Sequence, residues 1–263
     1  MRHRTPKTSS IEKALDIIMA FTPYNHEMGT VDLSQKLNLH PATVNRILQI
    51  LGRKGFLNQN QRTRKFTLGP SAFHLGRTIF QSLGGNVLKI AVPYIESLAE
   101  KLGQTVVLEV MSGKKSVVAY LEQGKRGYLI GPKIGDRVPG HAAAGAKAML
   151  AFCNPDSIEG FVGQKLEQFT TNTITDVKRF KIELEKVRQQ GVAFCREEMA
   201  IGVNALGVPI FDHDNKPVAG LVVAGQASAL KCVAKSSIVA EMKRTAKEIS
   251  ARIYHQDSME ATN

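Results

Sequence analysis

The sequence predicts an α+β protein made of two parts: a small helical unit with a hairpin, followed by a larger antiparallel sheet with flanking helices. Three observations predict this class. Apolar residues recur at helical spacing through the first quarter of the chain. Alternating apolar segments, separated by short polar turns, follow in the second part. The 263 residues are enough for two units that each bury their own core.

Positive charge is concentrated near the N-terminal end. The formal net charge is +12, and residues 1–69 hold 11 Lys and Arg against 4 Asp and Glu. Residues 33–95 contain nine basic residues and no acidic one. Such a surface attracts a polyanion, because each phosphate contact releases condensed counterions. We therefore expect double-stranded DNA as a partner of this region.

Two helices are predicted before the basic segment. The first begins at a capping box formed by Ser9 and Glu12 and ends near Phe21. Apolar positions at i, i+4, i+7 and i+8 predict one buried stripe, formed by Ile11, Leu15, Ile18 and Met19. Thr30 is predicted to cap a short second helix that extends over residues 31–37.

The third helix is predicted to begin at Pro41 and to end at Gly55 in a left-handed cap. Its predicted buried stripe is Val44, Ile47, Leu48 and Leu51. The opposite face carries an arginine that can pair with guanine, and amide side chains that can pair with adenine. We expect this face to lie in the major groove, with contacts from Pro41, Ala42, Thr43, Asn45, Arg46 and Gln49.

Two short strands after this helix are predicted to form a wing with a polar tip, at about 56–57 and 65–68. The cations of the wing, expected to contact phosphates or the minor groove, are Arg62, Arg64 and Lys65. The alternative is a solvated basic helix pair that contacts protein. The acid depletion, the proline at the helix start and the matching buried stripe together favour DNA.

A linker helix is predicted from Pro70 to Leu83. One apolar face holds Ala72, Leu75, Ile79 and Leu83, and a neighbouring face holds Phe73 and Phe80. Because the helix is apolar on two sides, we expect it to pack against a partner subunit as well as its own chain. Packing within one chain is the alternative. The expected domains are 1–69 for DNA binding, 70–85 for linkage and dimerisation, and 86–263 for the larger domain, whose function is inferred below from a family resemblance.

The second part is predicted to mix helices with hairpin-linked strands. The predicted helices span about 87–102, with a bend near Pro93, and 142–152, 177–191 and 231–254. The predicted strands span about 105–111, 116–122, 192–197, 203–211 and 217–223. Hairpin-linked strands with grouped helices indicate an antiparallel sheet.

The run Ala142–Gly145 stands at the predicted start of one helix. Unobstructed backbone N–H groups and the positive end of the helix dipole suit a bound carboxylate. Glycine also allows a ligand to approach the backbone. The alternative is that these small residues only allow tight helix packing, and the residues alone leave both interpretations open.

The sequence lacks patterns typical of enzymes and metal sites. GxSxG, HExxH and the phosphate-binding loop are absent. The cysteines, which lack metal-ligand spacing, are Cys153, Cys195 and Cys232. Glu197 and Glu198 follow each other in a predicted strand, so we expect their carboxylates on opposite faces in a surface or capping role. A nucleophile pair of His141 and Cys195 is disfavoured, because a lone buried cysteine usually only packs. We expect no catalysis, cofactor or metal.

Scattered cysteines in odd number are typical of the reducing cytoplasm. The segment MRHRTPKTSS leads into an amphipathic helix, so we expect no signal peptide. No apolar run approaches the roughly 18 residues that span a bilayer. The expected location is the cytoplasm, without a membrane partner.

Five segments make the chain resemble the IclR-type transcriptional regulators over residues 9–254. They are SIEKALDIIMAF, LHPATVNRILQILGRKGFL, KFTLGPSAFHLG, GHAAAGAKAMLAF and EEMAIGVNALGVPIFDHDNKPVAGLVVAG. The resemblance implies an N-terminal winged helix-turn-helix, a linker helix and a GAF/profilin-like effector domain. It also implies a homodimer or homotetramer that represses or activates a catabolic operon through palindromic operators, under control of a small-molecule effector.

The resemblance also implies an effector pocket, formed by Ile130, Ala144, Gly145, Cys195, Val203, Ala205, Val222 and Ala224. Alanine and valine stand where many relatives have hydroxyl or carboxylate side chains. A polyol would leave its hydroxyl groups unpaired at a cost of about 1–3 kcal/mol each. We expect an apolar or aromatic small acid held by backbone amides. The alternative functions are a small-molecule-binding protein whose winged helix serves protein assembly, and a minor enzymatic activity in the C-terminal part.

Overall fold

The computed structural model describes residues 9–22, 27–82, 85–112, 115–125, 132–162 and 165–260. The chain divides into two compact units, Met1–Ser82 and Leu83–Asn263. Within the described ranges, every helix is too short or too polar to cross a membrane.

The N-terminal unit begins with three helices: α1 (Ser10–Met19), α2 (Thr30–Leu37) and α3 (Pro41–Arg53). The capping box of α1 is present, since Ser9 Oγ accepts a hydrogen bond from Glu12 N at 3.1 Å. The cap of α2 is Gly29 and not Thr30, because Asp32 Oδ2 accepts a hydrogen bond from Gly29 N at 2.9 Å. The helix therefore starts one residue earlier than predicted.

The predicted buried stripe of α1 is wrong at Ile11, Leu15 and Met19, whereas Ile18 packs against the core of the unit. Ile11 is 74% exposed, and Leu15 and Met19 are also exposed. The core of the unit is instead reached by Ile17 and Phe21 near the C-terminal end of the helix. Because α1 is apolar on two faces, the spacing of its residues could not show which face meets the other helices. One apolar face, formed by Ile11, Leu15 and Met19, remains open to solvent.

A wing and a further helix complete the unit. The strands β1 (Leu57–Gln59) and β2 (Phe66–Leu68) pair antiparallel, and Met28 adds an isolated bridge to Phe66. Helix α4 (Pro70–Ser82) follows directly. Phe73 and Leu75 are exposed on its first turns. The side chains of the other predicted apolar positions, Ile79, Phe80 and Leu83, lie outside the described residues.

The C-terminal unit is built on a six-stranded antiparallel sheet with the order β5-β4-β3-β8-β7-β6. Its strands are β3 (Thr105–Ser112), β4 (Lys115–Glu122), β5 (Arg137–Pro139), β6 (Ala193–Arg196), β7 (Val203–Phe211) and β8 (Pro217–Gln226). Its helices are α5 (Gly85–Leu102), α6 (Ala144–Leu150), α7 (Pro155–Val162), α8 (Val177–Gln190) and α9 (Ser237–Glu260). Every strand pair is antiparallel, as predicted.

The two faces of the sheet are covered differently. Apolar residues of α5 and α9 form the main core with one face. On the other face, α6 lies directly against the strands: a Cβ at Gly207 would lie 2.3 Å from Ala144 O, and one at Gly220 would lie 2.7 Å from the Cα of Gly145. Glycine is needed at both strand positions because any side chain would push the helix away from the sheet.

Several elements differ from the prediction. Helix α6 is shorter than the predicted 142–152, and α9 is displaced toward the C-terminus, since it begins at Ser237 and extends to Glu260. Helix α7 and strand β5 were not predicted. Strand β5 has three residues and lies at the sheet edge, so it carries too little alternation to be recognised in the sequence.

Candidate functional site

Helix α3 presents its predicted recognition face to solvent. Val44, Ile47, Leu48 and Leu51 are buried, which confirms the predicted stripe. Pro41 occupies the first helical position, and His40 Nδ1 accepts a hydrogen bond from Ala42 N at 3.3 Å. The exposed residues of the opposite face are Pro41, Ala42, Asn45, Arg46 and Gln49, and Thr43 is half-buried. The face can therefore be inserted into a groove without unfolding the helix.

The tip of the wing is held by two polar side chains. Asn60 Oδ1 accepts hydrogen bonds from the backbone N–H groups of Arg62, at 2.9 Å, and Thr63, at 3.2 Å. Thr63 Oγ1 donates to Glu27 Oε1 at 2.8 Å. Arg64 has left-handed backbone geometry with φ 60°. Arg62 and Arg64 are exposed, and neither guanidinium is paired with a carboxylate of the described chain.

Lys65 differs from the two wing arginines because it has an acidic neighbour. Its Nζ lies 3.6 Å from Asp32 Oδ2, and both side chains are about half exposed. The hydrogen bond from Gly29 N, and then the charge of Lys65, hold the pKa of Asp32 below its usual value. The charge of Lys65 is thus partly compensated before any polyanion binds.

A cavity of about 540 Å³ lies in the C-terminal unit, on the sheet face opposite α5 and α9. It is lined by strands β3, β6, β7 and β8, by the segment that leads into α6, and by residues around β5. Six of the predicted pocket residues line it: Ala144, Cys195, Val203, Ala205, Val222 and Ala224. Ile130, which was also predicted, lies outside the described residues.

Strand register explains why the floor of the cavity is apolar. Cys195 is paired with Ala205, and Ala205 is paired with Ala224 on the next strand. Val222 is likewise paired with Val107 of β3. Residues directly opposite each other on neighbouring strands project from the same face. Small and branched side chains therefore form this part of the floor, together with the thiol of Cys195.

Glu109 reaches this cavity from β3. The residue is 4% exposed, and its Oε2 accepts hydrogen bonds from Ser116 Oγ at 2.8 Å and Ala146 N at 3.1 Å. Burial raises the pKa of Glu109 to about 7, against the opposing effect of these two hydrogen bonds. The β3–β4 register shifts between Leu108 and Glu109, where Ala119 of β4 has no residue opposite it on β3.

Gly145 does not line the cavity. A Cβ at this position would lie 2.7 Å from Glu109 Oε2 and 2.8 Å from Val222 Cγ2. Gly145 thus allows close packing of α6 against Glu109 and the sheet, the alternative that the sequence left open. The carboxylate site predicted at the start of α6 is partly occupied by the protein's own Glu109, whose carboxylate accepts the hydrogen bond of Ala146 N.

Two charged residues, Asp136 and Arg137, line the solvent side of the cavity and are exposed. Asp136 Oδ2 accepts a hydrogen bond from Lys133 N at 2.8 Å, so this carboxylate stabilises its own turn. The guanidinium of Arg137 is without an ionic partner among the residues that the structure describes. Arg137 therefore offers a cation to an anion at the cavity entrance.

Glu109, Asp136 and Arg137 line the cavity but were not among the predicted site residues. A signal existed for Glu109, the single charged residue in the apolar segment TVVLEVMS. It follows Val107 by two positions, so strand alternation directs both side chains to one face. No comparable signal existed for Asp136 and Arg137, because they lie in the glycine-rich run 131–140.

Glu198 lies in the interior, and the predicted surface or capping role is wrong. It follows β6 outside any strand, is 5% exposed, and its Oε1 lies 2.7 Å from Nζ of the fully buried Lys147. Burial raises the pKa of Glu198, and the charge of Lys147 acts in the opposite direction. The two groups form an internal ion pair that joins α6 to the segment after β6.

His141 and Cys195 do not act as a nucleophile pair, because His141 is engaged by other residues and the Cys195 thiol is buried. His141 Nε2 lies 2.8 Å from Glu167 O, and its ring stacks on Phe169 with centroids 5.8 Å apart. Burial raises the pKa of the Cys195 thiol, which disfavours the reactive thiolate. The described residues contain no cluster of three or more side chains that could hold a metal ion.

Two family profiles match the chain. The family described as "Bacterial transcriptional regulator IclR C-terminal" matches residues 82–251. The one described as "IclR helix-turn-helix domain" matches residues 10–61. Together they cover both units in the order that the sequence predicted.

Relatives agree with these profiles. The chain is 26% identical to the transcriptional repressor IclR of Escherichia coli K12 over 249 residues, which are 94% of this chain and 90% of that protein. The IclR structure from Thermotoga maritima is 26% identical with a TM-score of 0.76, over 93% of this chain and 98% of that one. An IclR homologue from Microbacterium hydrocarbonoxydans, in complex with 4-hydroxybenzoate, is similar in fold alone: 17% identity and a TM-score of 0.74, over 93% and 99% of the two chains. The predicted α+β class is confirmed.

Proposed function

The chain belongs to the IclR family of bacterial transcriptional regulators, and from this premise we propose that it binds palindromic operators upstream of a catabolic operon under control of a small organic acid. Members of the family are DNA-binding regulators and not enzymes. The proposal assigns DNA binding to residues 1–69, linkage and dimerisation to 70–85, and effector binding to 86–263.

The exposed face of α3 is the observation that carries the DNA-binding proposal. Its buried stripe fixes the rotation of the helix, so Asn45, Arg46 and Gln49 face solvent together. Arginine can donate two parallel hydrogen bonds to guanine, and an amide side chain can pair in the same way with adenine. The described residues provide no carboxylate partner for Arg46, so its guanidinium is available to a base.

The wing supplies the contacts that do not depend on base sequence. Arg62 and Arg64 stand at an ordered tip, and no acidic side chain in the described ranges neutralises them. We assign them to phosphates or to the minor groove. Lys65 takes a weaker part, because Asp32 already lies 3.6 Å from its Nζ.

The effector that we propose is a small, mainly apolar organic acid. A volume of about 540 Å³ and a floor of alanine and valine suit such a molecule. We assign its acid group to Arg137 and not to the start of α6, because Glu109 already accepts the hydrogen bond of Ala146 N. The complex of a similar fold with 4-hydroxybenzoate, an aromatic acid, agrees with this class.

Self-association is the third part of the proposal. Ile11, Leu15 and Met19 are spaced four residues apart on α1 and are exposed. Phe73 and Leu75 are exposed on α4. Apolar surface of this kind favours contact with a second copy of the chain. Light scattering on the full chain should give the mass of a dimer or tetramer; a monomer at micromolar concentration would contradict this part.

A binding assay on the upstream region of the protein's own gene tests the proposal. The full chain should retard this fragment at a concentration at least tenfold below that needed for a scrambled fragment of equal length. The assay should be repeated at low and moderate salt, since non-specific binding weakens steeply with salt. Equal binding to both fragments at every salt concentration would favour a role of the winged helix in protein assembly.

A further inference from the structure

One carboxyl oxygen of Glu109 accepts no hydrogen bond from the described part of the chain. Both hydrogen bonds to this side chain, from Ser116 Oγ and Ala146 N, end on Oε2. Oε1 accepts no hydrogen bond from any residue that the structure describes. Among the described residues, Glu198 Oε2 is the one fully buried side-chain oxygen or nitrogen without a hydrogen-bond partner. Glu109 Oε1 also lacks a partner, so it is not fully buried. Oε1 of Glu109 therefore keeps access to the cavity that this residue lines.

We propose that Glu109 determines effector specificity by accepting a hydrogen bond from the ligand. The cavity then selects small monoanions that carry an O–H or N–H donor at the end opposite their acid group, as hydroxy acids and neutral amino-substituted acids do. This inference rests on the proposed function, which assigns the acid group to Arg137 at the cavity entrance.

The direction of Oε1 is fixed by the packing around the carboxyl group. Ser116 on β4 and Ala146 on α6 hold Oε2 from two sides. Gly145 lies so close that its missing Cβ would meet the carboxyl group at 2.7 Å. A polar group locked by its neighbours discriminates between ligands, because it cannot turn away from an unsuitable one.

Charge decides which ligand group can reach Oε1. A donor group forms a charge-assisted hydrogen bond with an ionised carboxylate, which is stronger than a neutral one. A second carboxylate at that end would meet like charge in a site of low dielectric constant. A ligand without any donor would leave a buried acceptor unpaired. Monoanions with a distal donor are favoured on all three grounds.

Proton binding gives this recognition a pH dependence. Burial raises the pKa of Glu109 to about 7, and a donor ligand prefers the ionised form. The other charged or titratable side chains that line the cavity are Asp136, Arg137 and Cys195, and α6 adds Lys147, which pairs with Glu198. Lys147 is directed to Phe194 O and Glu198, and Asp136 and Arg137 are exposed. Burial keeps the thiol of Cys195 protonated, since it raises the pKa of that group.

Isothermal titration of the full chain with matched acids tests the inference. One set is benzoate, 4-hydroxybenzoate, 4-aminobenzoate and terephthalate; the other is hexanoate, 6-hydroxyhexanoate and adipate. In each set that binds, the member with a donor should bind at least tenfold more tightly than the donor-free member. The diacid should be the weakest.

The substitution Glu109→Gln should reverse this order. The amide oxygen can accept the hydrogen bonds of Ser116 and Ala146, which leaves the NH₂ group directed toward the cavity. Affinity for the hydroxy acid should fall at least tenfold, and affinity for the diacid should rise. Glu167→Gln is the matched control, because Glu167 is exposed and does not line the cavity.

The pH profile separates a ligand contact from a structural effect. The ionised fraction of Glu109 should rise from about one tenth at pH 6 to about nine tenths at pH 8, so wild-type affinity for the hydroxy acid should rise about ninefold. The Glu109→Gln variant should show a flat profile. In Ser116→Ala, loss of the hydrogen bond that lowers the pKa should move the midpoint to higher pH.

The outcomes distinguish the role of Glu109 from the proposed acid effector. If wild type and Glu109→Gln bind donor-bearing and donor-free acids alike, the inference is overturned and the acid effector stands. If no acid binds wild type at millimolar concentration, both are overturned. An unchanged midpoint in Ser116→Ala overturns the inference even if Glu109→Gln does not fold.

Discussion

The ammonium group of Lys147 lies 2.7 Å from Glu198 Oε1 in the interior of the C-terminal unit. Lys147 also donates to Phe194 O at 2.5 Å, and Glu198 Oε2 lacks a hydrogen-bond partner among the residues that the structure describes. The pair joins α6 to the segment after β6, which contributes Met199 and Ala200 to the cavity lining. The shape of the cavity therefore depends on an internal ion pair.

Removing one partner of this pair should destabilise the fold strongly. Glu198→Ala leaves the ammonium group of Lys147 buried without a counter-charge, which should lower the free energy of unfolding by about 3–5 kcal/mol. Urea unfolding measures the change. Glu197→Ala, next to it in the chain, is the control and should cost about 1 kcal/mol or less.

Replacing both partners tests whether the unpaired charge of Lys147 causes the loss of stability in Glu198→Ala. A double variant, Lys147→Met with Glu198→Leu, should recover most of the stability that Glu198→Ala loses, because no unpaired charge remains. A double variant no more stable than Glu198→Ala would show that packing, and not the ion pair, dominates at this site.

Glu109 should make stability depend on pH. The folded protein binds its proton more tightly than the unfolded chain, since the pKa is raised from 4.5 to about 7. This contribution is complete below pH 4.5 and is lost as pH rises to about 7. Between pH 5 and pH 8, the free energy of unfolding of wild type should fall by roughly 2–3 kcal/mol more than that of Glu109→Gln. If the free energies of unfolding of the two proteins change in parallel with pH, this prediction is wrong.

Arg46 should contribute to the sequence preference of DNA binding. Arg46→Ala should weaken operator binding by about 1–3 kcal/mol and flatten the preference at one base-pair position, if the guanidinium pairs with a guanine. Competition binding with operator variants measures both effects. An equal loss on operator and random DNA would show that Arg46 contacts only phosphate.

The wing arginines should act through salt-dependent contacts. Arg62→Ala or Arg64→Ala should weaken binding to all sequences alike and reduce the slope of affinity against salt by about one unit for each lost phosphate contact. Lys65→Ala should have a smaller effect, because Asp32 already compensates part of its charge. Titrations at several salt concentrations compare the three variants. A Lys65 effect as large as that of Arg62 would contradict this ranking.

Filling the cavity should separate effector response from DNA binding. Ala205 stands in the middle of the floor, between Cys195 and Ala224. Ala205→Leu should reduce acid binding at least tenfold, because the added side chain takes up ligand space, whereas operator affinity without effector should not change. Ala229→Leu, at an exposed turn, is the control. Unchanged acid binding by Ala205→Leu would mean that the effector binds elsewhere.

Local patterns in the sequence were enough to predict α3, its buried face and the wing that follows it. The spacing of Val44, Ile47 and Leu48 identifies one buried face without ambiguity, and Pro41 marks the helix start. The same method failed for α1, whose apolar residues occupy two faces. Periodicity identifies apolar faces, but it does not say which of two faces meets the neighbouring helices.

The sequence by itself determined the two-part α+β architecture, the exposed face of α3 and the apolar floor of the cavity, because each depends on residue type and local spacing. Only the tertiary structure decided that Glu109 shares the cavity with Arg137, that Gly145 serves packing, and that Lys147 pairs with Glu198. These contacts join residues far apart in the chain. Their distances depend on strand register and on how closely α6 approaches the sheet, and no local pattern contains either quantity.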